Sequence, residues 1–222
     1  AQKIAVKQSQ AVPVPDSLPF PQAAAFALVA QTSYQMLVNR AQLETDDWVM
    51  VWGAGSGVGS MAIQIAKAKQ ARVIAISGSD QKLEKAKNLG ADICINYQND
   101  DVIRMVKKET DGKGVNIVFE HVGEATWDIS MRSLAKGGRV VTCGATSGAR
   151  ASVNLTHLFF KQQSILGSTM GSLSAFRGSM ELLFTGKIVP IVDKIFPMEQ
   201  IADAHIYLES ASQYGKVVLS NE

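Results

Sequence analysis

The chain has 222 residues, 46% hydrophobic and 19% charged, with 18 Gly and 6 Pro. That composition fills one large domain or one and a half small ones, supplies a sizeable core, and excludes disordered and fibrous chains. A net charge of +2 argues against a nucleic-acid partner, and two distant cysteines, Cys94 and Cys143, make neither a disulfide framework nor a four-thiolate metal site.

The opening AQKIAVKQSQAVPVP alternates at Ile4 and Val6, which predicts a short strand, and a proline-rich turn follows at Pro13, Pro15, Pro19 and Pro21. No basic-then-apolar leader opens the chain, so a cytoplasmic location is expected. Residues Gln22–Arg40 hold no Gly or Pro and are rich in Ala, Leu and Met, which predicts a helix. The longest apolar run, Ala23–Ala30, is far short of the roughly 20 residues of a membrane span, so no membrane partner is expected.

From Asp46 onward, strand and helix patterns alternate. Strand-like apolar runs appear at Trp48–Trp52, Arg72–Ile76, Ile93–Ile95, Asn116–Phe119, Arg139–Cys143 and Ser164–Leu166. Helical faces separate the first five: Val58, Met61, Ala62, Ile65 and Ala66; Leu83, Ala86 and Leu89 with Gly90 as the stop; Val102, Ile103 and Val106; Trp127, Met131, Leu134 and Ala135. Nearly all-apolar strands are buried on both faces, so the expected fold class is α/β, a doubly wound parallel sheet. A short helix is expected around Asn154–Phe160, then a helix over Leu173–Thr185, an extended piece over Ile188–Phe196, a helix over Met198–Glu209 and a last strand at Lys216–Leu219. This final third does not read as further sheet-and-crossover units.

The sharpest local signal is VMVWGAGSGVGSMAIQIAK (Val49–Lys67), a buried strand running through clustered glycines into an amphipathic helix. Glycines there let a backbone approach a phosphate, and the helix's first amides and dipole face the anion. The strict G-x-G-x-x-G spacing is not met, because the sixth position from Gly53 is Val58. Gly53, Gly55 and Gly57 also match the first motif of S-adenosylmethionine-dependent methyltransferases, but the acids of that class are missing: Val51 and Ser77 occupy their places. The second strand ends Ser77-Gly78-Ser79 with no carboxylate about 20 residues past the glycines, where NAD sites usually carry one. Small donors with Lys82 one turn on suit a 2′-phosphate, so NADP(H) is preferred over NAD(H), the alternative for Lys82 being a solvated helix face shared with Lys85 and Lys87. Asp80, the nearest acid, suits a helix start.

The blocks GAGSGVGSMAIQIAK, GSDQKLEKAKNLGAD, INY, GKGVNIVFEHVG, GGRVVTCG, ILGSTMG, GKIVPIVDKIFPME and GKVVL come in an order that resembles the medium-chain dehydrogenases/reductases from end to end. The chain looks most like their quinone oxidoreductase and zinc-binding-dehydrogenase-like branches. The resemblance implies a Rossmann domain over residues 31–171 joined to part of a GroES-like catalytic lobe, residues 1–30 and the return 172–222, so a C-terminal fragment is expected.

By the same resemblance, the turn Ala54, Gly55, Ser56, Gly57, Val58 and Gly59 takes the pyrophosphate. Ser77, Gly78, Ser79, Lys82 and Tyr97 lie on the 2′-phosphate side, and Thr32 lies near the nicotinamide as the catalytic candidate. The loops Gly144-Ala145-Thr146 and Gly167-Ser168 line the nicotinamide face. His121, where many relatives have asparagine, is placed beside the coenzyme, a hydrogen-bonded strand-end histidine being its plainer role. The position of a family zinc ligand, four residues before Thr32, holds Leu28, and His157 and His205 stand alone, so no zinc is expected.

The expected activity is hydride transfer between NADP(H) and a carbonyl, quinone or activated alkene on a small-molecule substrate. A nucleotide-binding module without turnover of its own is the alternative. The Ser164–Leu166 strand, at a sheet edge, is the candidate homodimer contact.

Overall fold

The computed structural model describes residues 4–221; the first three residues of the expected 1–30 segment and Glu222 of the expected 172–222 segment lie outside them. Six parallel strands form one sheet: β1 (Trp48–Val51), β2 (Arg72–Ser77), β3 (Ile93–Asn96), β4 (Val115–Glu120), β5 (Leu134–Thr142) and β6 (Ser164–Gly167). Their spatial order is β3-β2-β1-β4-β5-β6, the doubly wound arrangement of dinucleotide-binding sheets.

The two-sided burial expected from the strand composition is present. Val49, Val51, Val73, Ala75, Ile117 and Phe119 point into one core, and Met50, Ile74, Ile76, Val118 and Val140 into the other, as the period of two requires. The first core is closed by α1 (Phe20–Tyr34), α2 (Gly57–Ala68) and α7 (Leu173–Phe184). The second is closed by α4 (Val102–Glu109) and α5 (Glu124–Ser133). The helices α3 (Asp80–Asn88) and α6 (Leu155–Phe160) complete the crossovers of this sheet. Because α1 and α7 pack on the outer side of α2, that helix is buried almost all round, beyond its expected single face. Its buried Gln64 is satisfied by the backbone of Val189, taking N–H to Oε1 at 2.8 Å and giving Nε2–H to the carbonyl at 3.1 Å.

Four expectations are corrected. Residues 4–7 form no strand: Ile4 and Val6 are exposed, and alternation without a partner strand makes no ladder. The helix expected over Gln22–Arg40 is α-helical only to Tyr34 and continues as a π-helical turn, Gln35–Arg40, which buries the consecutive Met36 and Leu37. Leu134 and Ala135 continue the apolar spacing of α5 but lie in β5, where Leu134 pairs with Val115 ahead of a bulge. The C-terminal third does hold a crossover unit: β7 (Val192–Pro197) and β8 (Lys216–Ser220) are parallel and joined through α8 (Ile201–Glu209), in a two-stranded sheet of their own against α1.

Candidate functional site

The strands flanking the switch in sheet order, β1 and β4, send their following loops apart and leave a crevice at their carboxyl ends. The glycine turn sits there. Gly53 has φ +56°, and its carbonyl accepts the Ser56 N–H at 2.8 Å. Ser56 caps α2, its Oγ accepting from Gly59 N at 2.9 Å and its carbonyl from Ser60 N at 2.9 Å. Among the described residues this leaves the Val58 amide without a bonded partner at the positive end of the helix dipole, while the Gly57 amide faces the Gly215 carbonyl across the parallel bridge of Ser56 with Gly215. Ala54 is buried and donates to Ile76 O at 3.0 Å, fixing the turn to β2.

Each glycine of the turn has its own reason. A Cβ on Gly59 would be driven into the Gly53 carbonyl, so this glycine permits close packing of α2 on β1. A Cβ on Gly55 would come 2.8 Å from Lys82 Cδ, and one on Gly57 2.7 Å from Lys216 Cδ. Two lysine stems therefore straddle the turn. The second comes from the C-terminal return, which is fastened there by Gly215 N donating to Gly55 O at 2.8 Å and by the Tyr214 ring against Gly55. Composition and local motif gave no sign that Lys216 and Tyr214 reach this loop.

At the end of β2, Ser79 N donates to Ser77 Oγ at 3.3 Å and Ser79 Oγ caps α3, accepting from Lys82 N at 3.4 Å. Asp80, the nearest acid in sequence, accepts from Asn96 Nδ2 at 2.7 Å and is thereby held toward β3, and Asp100 and Asp101, farther on, accept from Asn96 N at 3.2 Å and Arg104 N at 3.0 Å. Lys82 is half-buried and its Nζ donates to Ala211 O at 2.5 Å. Burial pushes its pKa down, an effect opposed by Asp193 and reinforced by Lys85. Lys85 and Lys87, by contrast, are exposed. Tyr97 is half-exposed, its hydroxyl 2.7 Å from where a Gly78 Cβ would stand and its ring 6.1 Å from that of Trp52. Trp52, Ser77, Gly78, Tyr97 and Val122 line the mouth of a cavity of about 830 Å³ that runs on between α4 and α5.

At the end of β4, His121 lies beneath the turn. Its Nε2 is 3.0 Å from Trp52 O, so it carries the proton of that bond, and 3.3 Å from Ser56 Oγ. Burial pushes its pKa below the ordinary value, with bonding to Trp52 and the charge of Glu120 opposing, so the ring is neutral at neutral pH. These two contacts hold the turn from below.

The neighbouring Glu120 is a buried carboxylate beside the site that sequence reasoning missed. Fully buried, it accepts at Oε1 from Val122 N at 2.6 Å and Gly123 N at 3.2 Å, and at Oε2 from Thr126 Oγ1 at 2.9 Å and Ser130 Oγ at 2.7 Å. Ser130 Oγ in turn accepts from Trp52 Nε1 at 2.8 Å.

The remaining candidates lie on the next two strand ends. Gly144 abuts the His121 carbonyl and Ala145 abuts Gly123, each too close to admit a Cβ on the glycine without displacement. Gly167 O accepts from Arg40 Nε at 2.9 Å, and Ser168 N donates to Thr142 O at 2.9 Å. Ser168 Oγ is buried without a hydrogen-bond partner. Thr32 sits apart on α1, buried, with its hydroxyl donated to Leu28 O at 2.7 Å. Its neighbour Ser33 donates to Val58 O at 3.0 Å and so fixes α1 to the first turn of α2. The strand-end candidates are thus gathered along one edge of the sheet, and Thr32 is tied into its own helix nearby.

The zinc-binding dehydrogenase family profile matches residues 57–185, more than half of the chain and most of the elements just described. The chain belongs to the zinc-binding dehydrogenase family. It is 32% identical over 227 residues to the quinone oxidoreductase of Salmonella typhimurium, covering 96% of this chain and 69% of the relative. A crystal structure of an NAD-dependent alcohol dehydrogenase superposes with a TM-score of 0.93 at 40% identity, covering 98% of this chain and 63% of that one. The 2-octenoyl-CoA carboxylase reductase CinF, solved with NADP and 2-octenoyl-CoA, superposes with a TM-score of 0.88 at 34% identity, covering 96% of this chain and 53% of that one. The chain spans about half the length, 52%, of other curated relatives it matches.

The family name raises the question of a metal. At the expected ligand position Leu28 is an exposed hydrocarbon on α1, and no three His, Cys, Asp or Glu among the described residues gather to hold a metal. The described donor set does not fit zinc. No helix among the described residues is long and apolar enough to cross a membrane.

Proposed function

We propose that this chain forms the coenzyme-binding part of an NADP(H)-dependent oxidoreductase that moves a hydride between nicotinamide and a carbonyl, quinone or activated alkene of a small-molecule substrate. The observation that carries the proposal is the capped start of α2, where the free Val58 amide stands between the stems of Lys82 and Lys216 at the sheet's switch point. An anion there meets an N–H donor, the positive end of a helix dipole and Lys216, which suits a pyrophosphate, while the Lys82 ammonium, held at Ala211 O, stands off the turn.

The other residues fit the rest of the same molecule. The cavity behind Tyr97 accommodates an adenosine, and Ser168 Oγ, buried and unpaired, fits a carboxamide. The nicotinamide supplies the hydride chemistry, and the loops Gly144-Ala145 and Gly167-Ser168 would orient its ring and keep water from its face. The solved relatives divide between NAD and NADP. For this chain NADP(H) is favoured by a β2 end without a free carboxylate, by donors at Ser77 and Ser79, and by the half-buried Lys82.

Titration with NADPH and NADH, followed by nucleotide fluorescence, tests this directly. Lys82→Ala should weaken NADPH about 10-fold to 100-fold, the worth of one charge-assisted hydrogen bond, and NADH less than twofold. Equal losses, or tighter NADH than NADPH in the parent chain, would overturn the coenzyme assignment. A second reading, a nucleotide-binding module without turnover, predicts coenzyme binding with no oxidation of NADPH by any quinone or enal.

We also infer a homodimer through β6, the edge of the six-stranded sheet, where Ile165 is exposed, as are Phe159 and Phe160 on the preceding α6. Sedimentation should give a dimer, and Ile165→Lys a monomer. A cytoplasmic setting suits two cysteines held as free thiols.

A further inference from the structure

We propose that Asp193 sets the coenzyme preference of this site, holding the Lys82–Lys85 pair toward the C-terminal return and so restraining its grip on a 2′-phosphate. The proposal rests on the coenzyme assignment above, and it concerns a residue of β7 far along the chain from the glycine turn and the end of β2.

The carboxylate is placed by its own neighbours. Its side chain is 14% exposed, Oδ2 accepts from Tyr207 Oη at 2.7 Å, and Oδ1 lies 3.9 Å from Lys85 Nζ. Tyr207 is itself held by the Phe196 ring, 6.0 Å away between centroids, so the anion is fixed on the β7–α8 unit. Lys194, the next residue, lays its ammonium over the Phe196 and Tyr207 rings at 4.5 and 5.1 Å. The cations of another element that act on Asp193 belong to α3.

On α3, Lys82 and Lys85 are three residues apart and therefore on one face. Lys85 lies over the Tyr214 ring at 5.3 Å and Lys82 Nζ donates to Ala211 O at 2.5 Å, so both lysines lean on the C-terminal return. The end of that face borders Ser77, Gly78 and Ser79, where the second phosphate of NADP(H) would stand. The same ammonium thus has two competing attractions: the Ala211 carbonyl dipole and the Asp193 charge on one side, the 2′-phosphate on the other. Asp193 also raises the pKa of Lys82 against burial, as an anion in reach of it must.

Two effects of the carboxylate have the same sign. A fixed negative charge near the site repels a phosphate dianion, and it stabilises Lys82 in the arrangement that the phosphate must draw it out of. NADH lacks the 2′-phosphate and feels neither. Removing the charge while keeping the Tyr207 bond should therefore favour NADP(H) alone.

Asp193→Asn does that, since the amide oxygen still accepts from Tyr207. The NADPH-over-NADH affinity ratio is expected to rise about threefold to tenfold at low salt, the size of one partly screened charge acting on a phosphate. The gain should shrink toward onefold in about 0.5 M salt. Asp193→Ser should give the same shift if the asparagine variant does not fold, and Asp193→Glu should keep the parent ratio. In a Lys82→Ala background, Asp193→Asn should change the ratio much less, which a merely structural role would not produce. An unchanged or lowered ratio in the neutral variants, or an equal gain without Lys82, overturns the role of Asp193. Failure of the parent chain to bind either nucleotide overturns the coenzyme assignment itself, and this inference with it.

Discussion

Gly59→Ala is expected to destabilise the chain by about 3 kcal/mol and to abolish dinucleotide binding, whereas Gly55→Ala and Gly57→Ala should each cost less than about 1 kcal/mol. The difference lies in what each new methyl group meets. At Gly59 it meets backbone, the Gly53 carbonyl, which is already engaged in closing the turn with Ser56 N. No side-chain rotation relieves that clash, so α2 must slide away from β1, carrying with it the Ser33 bond to Val58 and the free Val58 amide. At Gly55 and Gly57 the nearest atoms are the stems of Lys82 and Lys216, flexible chains that can swing aside. Those two variants should fold and yet bind the dinucleotide more weakly, because displaced lysines leave the turn with less positive charge. Urea midpoints with parallel NADPH titrations separate the classes. A Gly59→Ala chain as stable as Gly57→Ala would remove the reason for a glycine there.

The contrast also marks how much of the site a sequence can carry. The turn, the serines after β2, Lys82 and Tyr97 all stand in short local blocks, and the structure brings each to the same end of the sheet. Local order sufficed because every one of them follows a strand whose burial on both faces is written in its composition. The partners that complete the site are invisible by the same logic. Tyr214 and Lys216 approach Gly55 and Gly57 from the far end of the chain, and only the pairing of β7 with β8 and the bridge from Ser56 to Gly215 put them there. Apolar spacing misleads where helix and strand share it: Leu134 and Ala135 extend the face of α5 in sequence yet start β5 in space. Alternation at Ile4 and Val6 misleads for a different reason, since a strand exists only with a partner.

Glu120 is the residue where the sequence was hardest to interpret, and its removal should have the second large effect. A carboxylate in the last position of a strand reads as a solvated end, but this one has no exposed surface and faces no cation in the bonds it makes. Its charge is balanced by four donors, two from the backbone of the loop it precedes and two hydroxyls one turn apart on α5. Glu120→Ala leaves all four without their acceptor in a dry interior and releases the Ser130 hydroxyl that orders the Trp52 indole. The expected cost is about 3–5 kcal/mol, as for one member of a buried charged group deleted alone. Glu120→Gln should cost about half as much: its carbonyl oxygen still accepts from Val122 and Gly123, while its amide turns two N–H groups on hydroxyls that were themselves donating. Because Trp52 lines the mouth of the cavity and Gly123 backs Ala145, both variants should also loosen coenzyme binding without touching the coenzyme. Urea denaturation ranks the three chains. A Glu120→Ala chain within about 1 kcal/mol of the parent would mean that water enters to replace the carboxylate and that the network does not hold the crevice open.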